Sequence, residues 1–290
     1  MQIGITGASG LIGRHIVEHA LRRGHEVTAF SRSVHRSIPG CTVRAFHPPT
    51  PPDLSGCDAL IHLAGESVLG VWTPAKKRRI VQSRIEGTRA VAAAIEAAET
   101  PPEVLVSGSA IGFYGDSGDT ELVETSAGGS GFLAETTRAW EAEATRVRRS
   151  RVVLLRTGIA LAREGGALGV MAPLFRWGLG GRLGPGTQWM SWIHVEDLAR
   201  LFLFAVENLE IHGPVNGTAP WPMRNAEFTR ELARRLRRPA LLHAPAWALR
   251  FLGDFSHELL DSKRVLPQIA TMHHFPFEFP ELPPALANLL

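Results

Sequence analysis

Tyrosine occurs once in this chain of 290 residues, at Tyr114, and lysine occurs at only three positions, Lys76, Lys77 and Lys263. Tyr114 has no lysine near it in sequence, so proton chemistry that needs a phenol activated by a neighbouring amine has little to draw on. Cysteine is almost as scarce. Cys41 and Cys57 are the only two and show no metal-ligand spacing, which excludes a disulfide framework and a cysteine zinc site. His273-His274 also lacks further ligands at metal spacing, and no metal is expected. No apolar run approaches the ~18 residues of a membrane helix. The sequence opens directly on an apolar strand, so we expect a cytoplasmic protein with no leader and no membrane contact. A formal charge of +3 is too mild to argue for nucleic acid. The densest basic run, Lys76-Lys77-Arg78-Arg79, opens an amphipathic helix and reads as a solvated face.

What is present begins at the first residue. Gln2 to Thr6 reads as a short strand that runs straight into Gly7-Ala8-Ser9-Gly10-Leu11-Ile12-Gly13. Leu11, Ile12, Ile16, Ala20 and Leu21 then repeat at helical spacing up to Arg23. Gly7 allows a tight exit from the strand, Gly10 lets the backbone approach a ligand, and Gly13 lets the helix lie close on the sheet. A strand, a glycine-rich turn and a helix in that order leave main-chain N–H groups pointing at an anion, and a nucleotide pyrophosphate fits.

Strand and helix alternate downstream, which predicts an α/β fold: a Rossmann-type doubly wound parallel sheet with a smaller C-terminal substrate lobe. The predicted strands are Glu26 to Phe30, Thr42 to Phe46, Ala59 to Leu63, Val104 to Ser109, Val152 to Leu155 and one around Pro214 to Asn216, with a long helix from about Pro74 to Ala98. Glycine is frequent between Gly165 and Gly186, which predicts a partly irregular segment over a pocket. Helices follow at Glu196 to Glu207 and after a cap at Asn225. The expected domains are 1–164, with parts of 187–220 returning to it, and a smaller lobe from 165–186 and 221–290.

The residue after the second strand meets the adenosine ribose in this fold, and an arginine there accommodates the 2′-phosphate of NADP. The strand ends in Phe30-Ser31-Arg32, and Glu26 precedes it, out of reach of the ribose. The expected cofactor is therefore NADP(H), with Arg32 on the phosphate or adenine and Ser31 hydrogen-bonding the phosphate.

With these pieces placed, the chain resembles the extended short-chain dehydrogenase/reductase superfamily, in its NAD-dependent epimerase/dehydratase branch. The resemblance rests on Thr6 to Gly13, Leu63-Ala64-Gly65, Ser107-Gly108-Ser109-Ala110 with Tyr114-Gly115, and Trp192 to Leu198. Gly65-Glu66, Gln82-Ser83-Arg84, Trp140-Glu141, Leu155 to Gly158 and Leu179-Gly180-Gly181 are similar to an atypical subgroup of epimerase-family proteins, some of them associated with cell or chloroplast division. The resemblance implies cofactor contacts at Gly7, Ser9, Gly10, Leu11 and Ile12 for pyrophosphate, Ser31 and Arg32 for the 2′-phosphate, Leu63, Ala64, Gly65 and Glu66 along the nucleotide, Arg84 on the following helix, and Gly158 and Ile159 near nicotinamide.

The same resemblance implies a tyrosine with a lysine four residues on, and a serine that steadies the substrate oxygen. Ser109 matches the serine, but Phe132 and Thr136 hold the dyad's spacing with neither chemistry. An unperturbed phenol near pKa ~10 is already a poor base at neutral pH, and here even that is missing. Substitute proton donors are sought among Glu66, Glu124, Glu135 and His194, with Ser109 and Glu135 the catalytic candidates. Each has a plain structural alternative, and His194 within an apolar strand also reads as a core histidine. Met171, Phe175, Gln188, Trp189, Ser191 and Trp192 are expected to wall a substrate pocket or to form the core of the smaller lobe. Two functions follow: an NADP(H)-dependent oxidoreductase or epimerase acting on a nucleotide sugar or small carbonyl or alcohol, and a non-catalytic NADP(H)-binding regulator or adaptor with a possible division link. The substrate is an unidentified small molecule, and a homodimer is left open.

Overall fold

A computed structural model describes residues 1–35 and 37–290. Seven parallel strands form the central sheet: β1 (Gln2–Thr6), β2 (Glu26–Ser31), β3 (Cys41–Ala45), β4 (Ala59–His62), β5 (Val104–Ala110), β6 (Arg151–Thr157) and β7 (Gly213–Gly217). Their spatial order is 3-2-1-4-5-6-7, reversing direction of growth at β1. Pairing is in register from Ile3 against Val27 on one side and Ala59 on the other, out to Val153 against Gly213. The middle strands are apolar on both faces because both faces are covered. Helices α1 (Leu11–Arg22) and α5 (Val195–Glu207) pack together on one, burying Ile16, Val17, Leu198 and Phe202 against Ile3, Ile5, Val106 and Leu155. Helices α2 (Pro74–Ala97) and α3 (Phe132–Ala144) pack together on the other, where Val91, Ile95 and Ala144 meet Leu60, Leu105 and Leu154.

A third core lies beyond the sheet, around Trp192 and Phe228, gathered by α4 (Gly166–Arg176), α6 (Asn225–Leu236) and α7 (Leu282–Leu289). The segment expected to be partly irregular is so, but it also holds an unforeseen helix: 11 of its residues form α4, followed by a strand, Gly181–Leu183, paired with Leu242–Ala244. Leu168, Ala172 and Phe175 are buried at helical spacing, and this stripe was masked by the glycines around it. Asn225 does not cap α6. It is the first helical residue, and its Oδ1 accepts the Leu183 N–H at 2.8 Å, while Glu227 reaches back to the Arg224 N–H at 3.3 Å.

Among the described residues no helix is long and apolar enough to cross a membrane. No group of three or more His, Cys, Asp or Glu among them could hold a metal ion.

Candidate functional site

The carboxyl ends of β1, β2, β4, β5 and β6 lie along one edge of the sheet, and most of the residues expected to contact the cofactor lie at these ends, in the loops that leave them or at the head of α1. At the end of β1, Gly7 takes φ 72°, and a Cβ there would press on the Leu63 carbonyl carbon at 3.0 Å. A Cβ on Gly13 would stand 2.2 Å from the Gly7 carbonyl oxygen, so glycine is required for α1 to close onto the loop. Gly10 precedes α1 with no side-chain cap, and no acid sits in the first turn. The helix therefore opens with unclaimed N–H donors and the positive end of its dipole. Ser9 and Gly10 are exposed, as is Arg32, which makes no ion pair among the described residues; Ser31 is partly exposed and accepts the Ser33 N–H at 3.1 Å.

The β4 loop is fixed from beneath. The Thr6 hydroxyl accepts the N–H groups of Leu63 at 3.0 Å and Ala64 at 3.1 Å, so its own proton goes to His62 Nδ1, 2.7 Å away. That assigns the proton on the ring to Nε2, which donates to Thr88 at 3.1 Å. His62 is fully buried, and burial holds it neutral, down at about 4. Farther along the loop, Glu66 accepts from Lys76 Nζ at 2.8 Å, the main reason its carboxyl lies below the usual range. Arg84 lies beside Gly65 with its guanidinium over the Trp140 ring, 5.1 Å from the centroid. It donates to the carbonyls of Glu66 and Ile80 at 3.0 and 3.2 Å but pairs with no carboxylate among the described residues, and burial pulls it down to about 10. A desolvated arginine served only by carbonyls is poised to take an anion.

Gly158 follows β6 with no room to spare: a Cβ would lie 2.6 Å from the Ser191 carbonyl oxygen. Ile159 begins the short strand Ile159–Leu161, paired with Trp192–His194.

The edge at β5 is built differently. Ser109 is buried and its hydroxyl donates to Glu141 Oε1 at 2.5 Å. Glu141 receives Arg156 in a two-pronged pair, 2.8 and 2.9 Å, and Arg156 also donates to the Tyr114 oxygen at 3.0 Å. Tyr114 donates to Asn216 Oδ1 at 2.7 Å, and the guanidinium lies 3.5 Å from the Phe113 ring centroid. Burial raises the Tyr114 phenol, which makes the one tyrosine a strut of this network and a poor base. Glu124 closes the network from below: its carboxylate accepts the N–H groups of Asn216 and Ile269 at 3.0 and 3.2 Å, and burial raises its pKa. Sequence reasoning missed these contacts because they join α3, β6 and β7, although Glu141 and Arg156 both stood in its motifs.

Of the remaining donors, Glu135 is exposed in the first turn of α3. His194 proves to be a core and capping histidine. Its Nδ1 accepts the Glu196 N–H at 3.1 Å at the head of α5, its Nε2 meets Asn288 at 3.2 Å, and burial pulls it down to about 4. Thr136 folds its hydroxyl back onto the Phe132 carbonyl at 2.7 Å. Phe132 lies edge to face with Trp72, centroids 5.3 Å apart, beneath the ammonium of Lys77 at 4.6 Å.

Of the two readings given to the expected pocket wall, the core of the smaller lobe describes most of its residues. Phe175, Ser191 and Trp192 are buried, Ser191 donates to the Lys263 carbonyl at 2.8 Å, and Trp192 Nε1 reaches the Trp221 carbonyl at 3.2 Å. Gln188 is buried with its amide on Leu183 and Leu259, and Met171 packs against the same core. Trp189 alone remains at a polar surface, its indole on Asp119 at 3.0 Å between Arg224 and Arg264.

This fold and its loop edge define a Rossmann-type α/β protein. The chain belongs to the NAD dependent epimerase/dehydratase family, whose sequence profile matches residues 3–216; a domain of unknown function, DUF1731, matches residues 244–289. The epimerase family protein SDR39U1 homolog, chloroplastic, of Arabidopsis thaliana is 36% identical over 302 residues, covering 100% of this chain and 87% of that one. The crystal structure of human epimerase family protein SDR39U1 (isoform 2) with NADPH superposes with a TM-score of 0.91 at 33% identity, over 100% of this chain and 99% of the other. A nucleoside-diphosphate sugar epimerase from Corynebacterium glutamicum gives a TM-score of 0.82 at 33% identity, with 58% of its length covered.

Proposed function

We propose that this chain binds NADP(H) along the carboxyl edge of its sheet and works as an oxidoreductase or epimerase on a small carbonyl or alcohol or a nucleotide sugar. The reading is carried by one juxtaposition: the start of α1, uncapped by any side chain, lies one strand away from exposed Arg32, which makes no ion pair among the described residues. The first suits a diphosphate and the second a 2′-phosphate. Arg84, desolvated without a carboxylate, supports the fit, as does the human relative crystallised with NADPH. Leu11 and Ile12 stand at the diphosphate; on the other side of β1 from Arg32, Leu63 to Glu66 continue the nucleotide's path, with Gly158 and Ile159 at its far end. When bound, the nucleotide supplies hydride chemistry; the chain's own part is to grip, orient and provide a proton. Tryptophan-fluorescence titration tests the reading, with NADPH expected to bind at least tenfold more tightly than NADH. Equal affinities would remove the role of Arg32.

A second reading is favoured by the β5 network. With Phe132 and Thr136 at the dyad positions and Ser109 already bonded to Glu141, the site holds a nucleotide without the usual acid–base pair. On that reading the chain is a redox-responsive regulator, and any part in cell division enters through a partner. Catalytic roles for Ser109 and Glu135 belong to the first reading; turnover abolished by Ser109→Ala or Glu135→Ala would favour the enzyme, and an inert nicotinamide across carbonyls, alcohols and UDP-sugars the regulator.

A further inference from the structure

The enzymatic reading needs a proton donor, and most of the groups first considered for it are bonded to other parts of the chain. Ser109 and Tyr114 are bonded inside the buried network, Glu124 accepts two backbone N–H groups beneath it, His194 caps α5, and Glu66 is held by Lys76. Glu135 is exposed and bonded to none of these side chains. One further titratable group stands against the ring that occupies the dyad position. Lys77 lies in the first turn of α2, which follows β4, and Phe132 opens α3, which follows β5; both therefore stand over the carboxyl edge of adjacent strands. The Lys77 ammonium lies 4.6 Å from the Phe132 centroid and pairs with Asp254, in a part of the chain remote in sequence. Trp72 lies edge to face with Phe132 at 5.3 Å and with Phe255 at 5.6 Å, so aromatic rings shield the ammonium's surroundings. The side chain is still 30% exposed, open enough to meet a small molecule.

We propose that Lys77 takes the place of the absent tyrosine: steadied by Asp254 over the Phe132 ring, it presents its ammonium to the oxygen of a substrate carbonyl. The inference rests on the enzymatic reading above and adds the residue that reading lacks. NADPH supplies the hydride, and with it the two electrons, to the carbonyl carbon. The C=O π pair moves onto oxygen, one Lys77 N–H bond breaks as an O–H bond forms, and the neutral amine regains its proton from water. The sum is a carbonyl, NADPH and one proton giving an alcohol and NADP⁺. The aromatic face and the carboxylate hold the ammonium in position, and its proton passes only as negative charge develops on the carbonyl oxygen.

The scarcity of lysine supplies the test. In the full-length chain carrying isotope-labelled lysine, NMR shows three side-chain signals, from Lys76, Lys77 and Lys263, and Lys77→Arg identifies one of them. NADP⁺ and NADPH are added separately to saturation, followed by tryptophan fluorescence. The two differ in the charge of the nicotinamide ring, so the Lys77 signal is expected at different positions in the two complexes and the Lys263 signal at one. A Lys77 signal identical in both overturns the proposal while leaving nucleotide binding intact. A nucleotide that does not bind overturns both. In parallel, NADPH oxidation is followed with a panel of small aldehydes and ketones. Lys77→Met is expected to lose about 100-fold or more in rate with NADPH affinity changed less than about threefold, as the loss of a general acid would. Wild-type turnover retained by Lys77→Met, or a wild-type chain inert to the whole panel, overturns the catalytic role.

Discussion

Two stretches of one sheet edge are built on opposite plans. At the end of β1 the main chain is bare, with glycine where a Cβ would collide and no side chain capping α1. At the end of β5 side chains fill the space, and Ser109, Glu141, Arg156, Tyr114 and Asn216 bond to one another out of water. A bare loop leaves its hydrogen bonds to a ligand, whereas these five side chains spend theirs largely on one another. The difference teaches that gripping a nucleotide and moving a proton are separable tasks, and that of the parts the resemblance implies only those for the first are left open to a ligand.

The largest expected effect breaks the filled side. Arg156→Ala leaves Glu141 buried without its partner, and removing one member of a buried pair costs about 3–5 kcal/mol. Urea unfolding of the variant measures it, and a loss below about 1 kcal/mol would mean the network is not closed to water. Acid comes next. His62 in the folded chain is held near 4, below its ordinary 6.5, so the unfolded chain takes up the proton first as pH falls. Its contribution is complete above 6.5 and lost between 6.5 and 4, on the order of 3 kcal/mol. His194 acts in the same direction over the same window. Glu196 is held well below the carboxylate range by its bonds to His15 and His19, so a further loss sets in below about 4.5. Thermal unfolding from pH 7 to 4 should show the decline, and replacing His62 with a neutral residue should flatten it.

On the bare side, Arg32→Ala should weaken NADPH by about 1.5–3 kcal/mol, the range for a hydrogen bond to a charged group, and leave NADH unchanged. An equal loss for both nucleotides would place Arg32 away from the 2′-phosphate. The smallest effect is at Glu135, whose exposed side chain predicts a stability change within about 0.5 kcal/mol for Glu135→Gln. A simultaneous loss of NADPH affinity would bring it into the site.

What the sequence made legible follows the same division. The bare side is local: Gly7, Gly10 and Gly13 lie within one turn between a strand and a helix, and spacing alone exposes their purpose. The sheet followed from apolar runs of strand length, each placed within a few residues of its position. The filled side is non-local. Glu141 meets Arg156 because β5 and β6 are neighbours, and Lys77 meets Phe132 because α2 and α3 share a face; neither pairing has a spacing to read. Lys77 was hidden further by its basic run, which reads as a solvated face until Glu66 and Asp254 are seen to claim three of its members. α4 was missed because glycine around it outweighed a buried stripe, and Ser191 and Trp192 were left between pocket wall and core because apolar residues near polar ones look alike in core and cleft.

The most direct test of the central claim is a crystal structure of the chain with NADPH. The diphosphate should lie on the N–H groups at the start of α1, the 2′-phosphate against Arg32, and the nicotinamide toward Phe132 and Lys77. A crevice blocked by side chains, or one without nucleotide at saturating concentration, would contradict it.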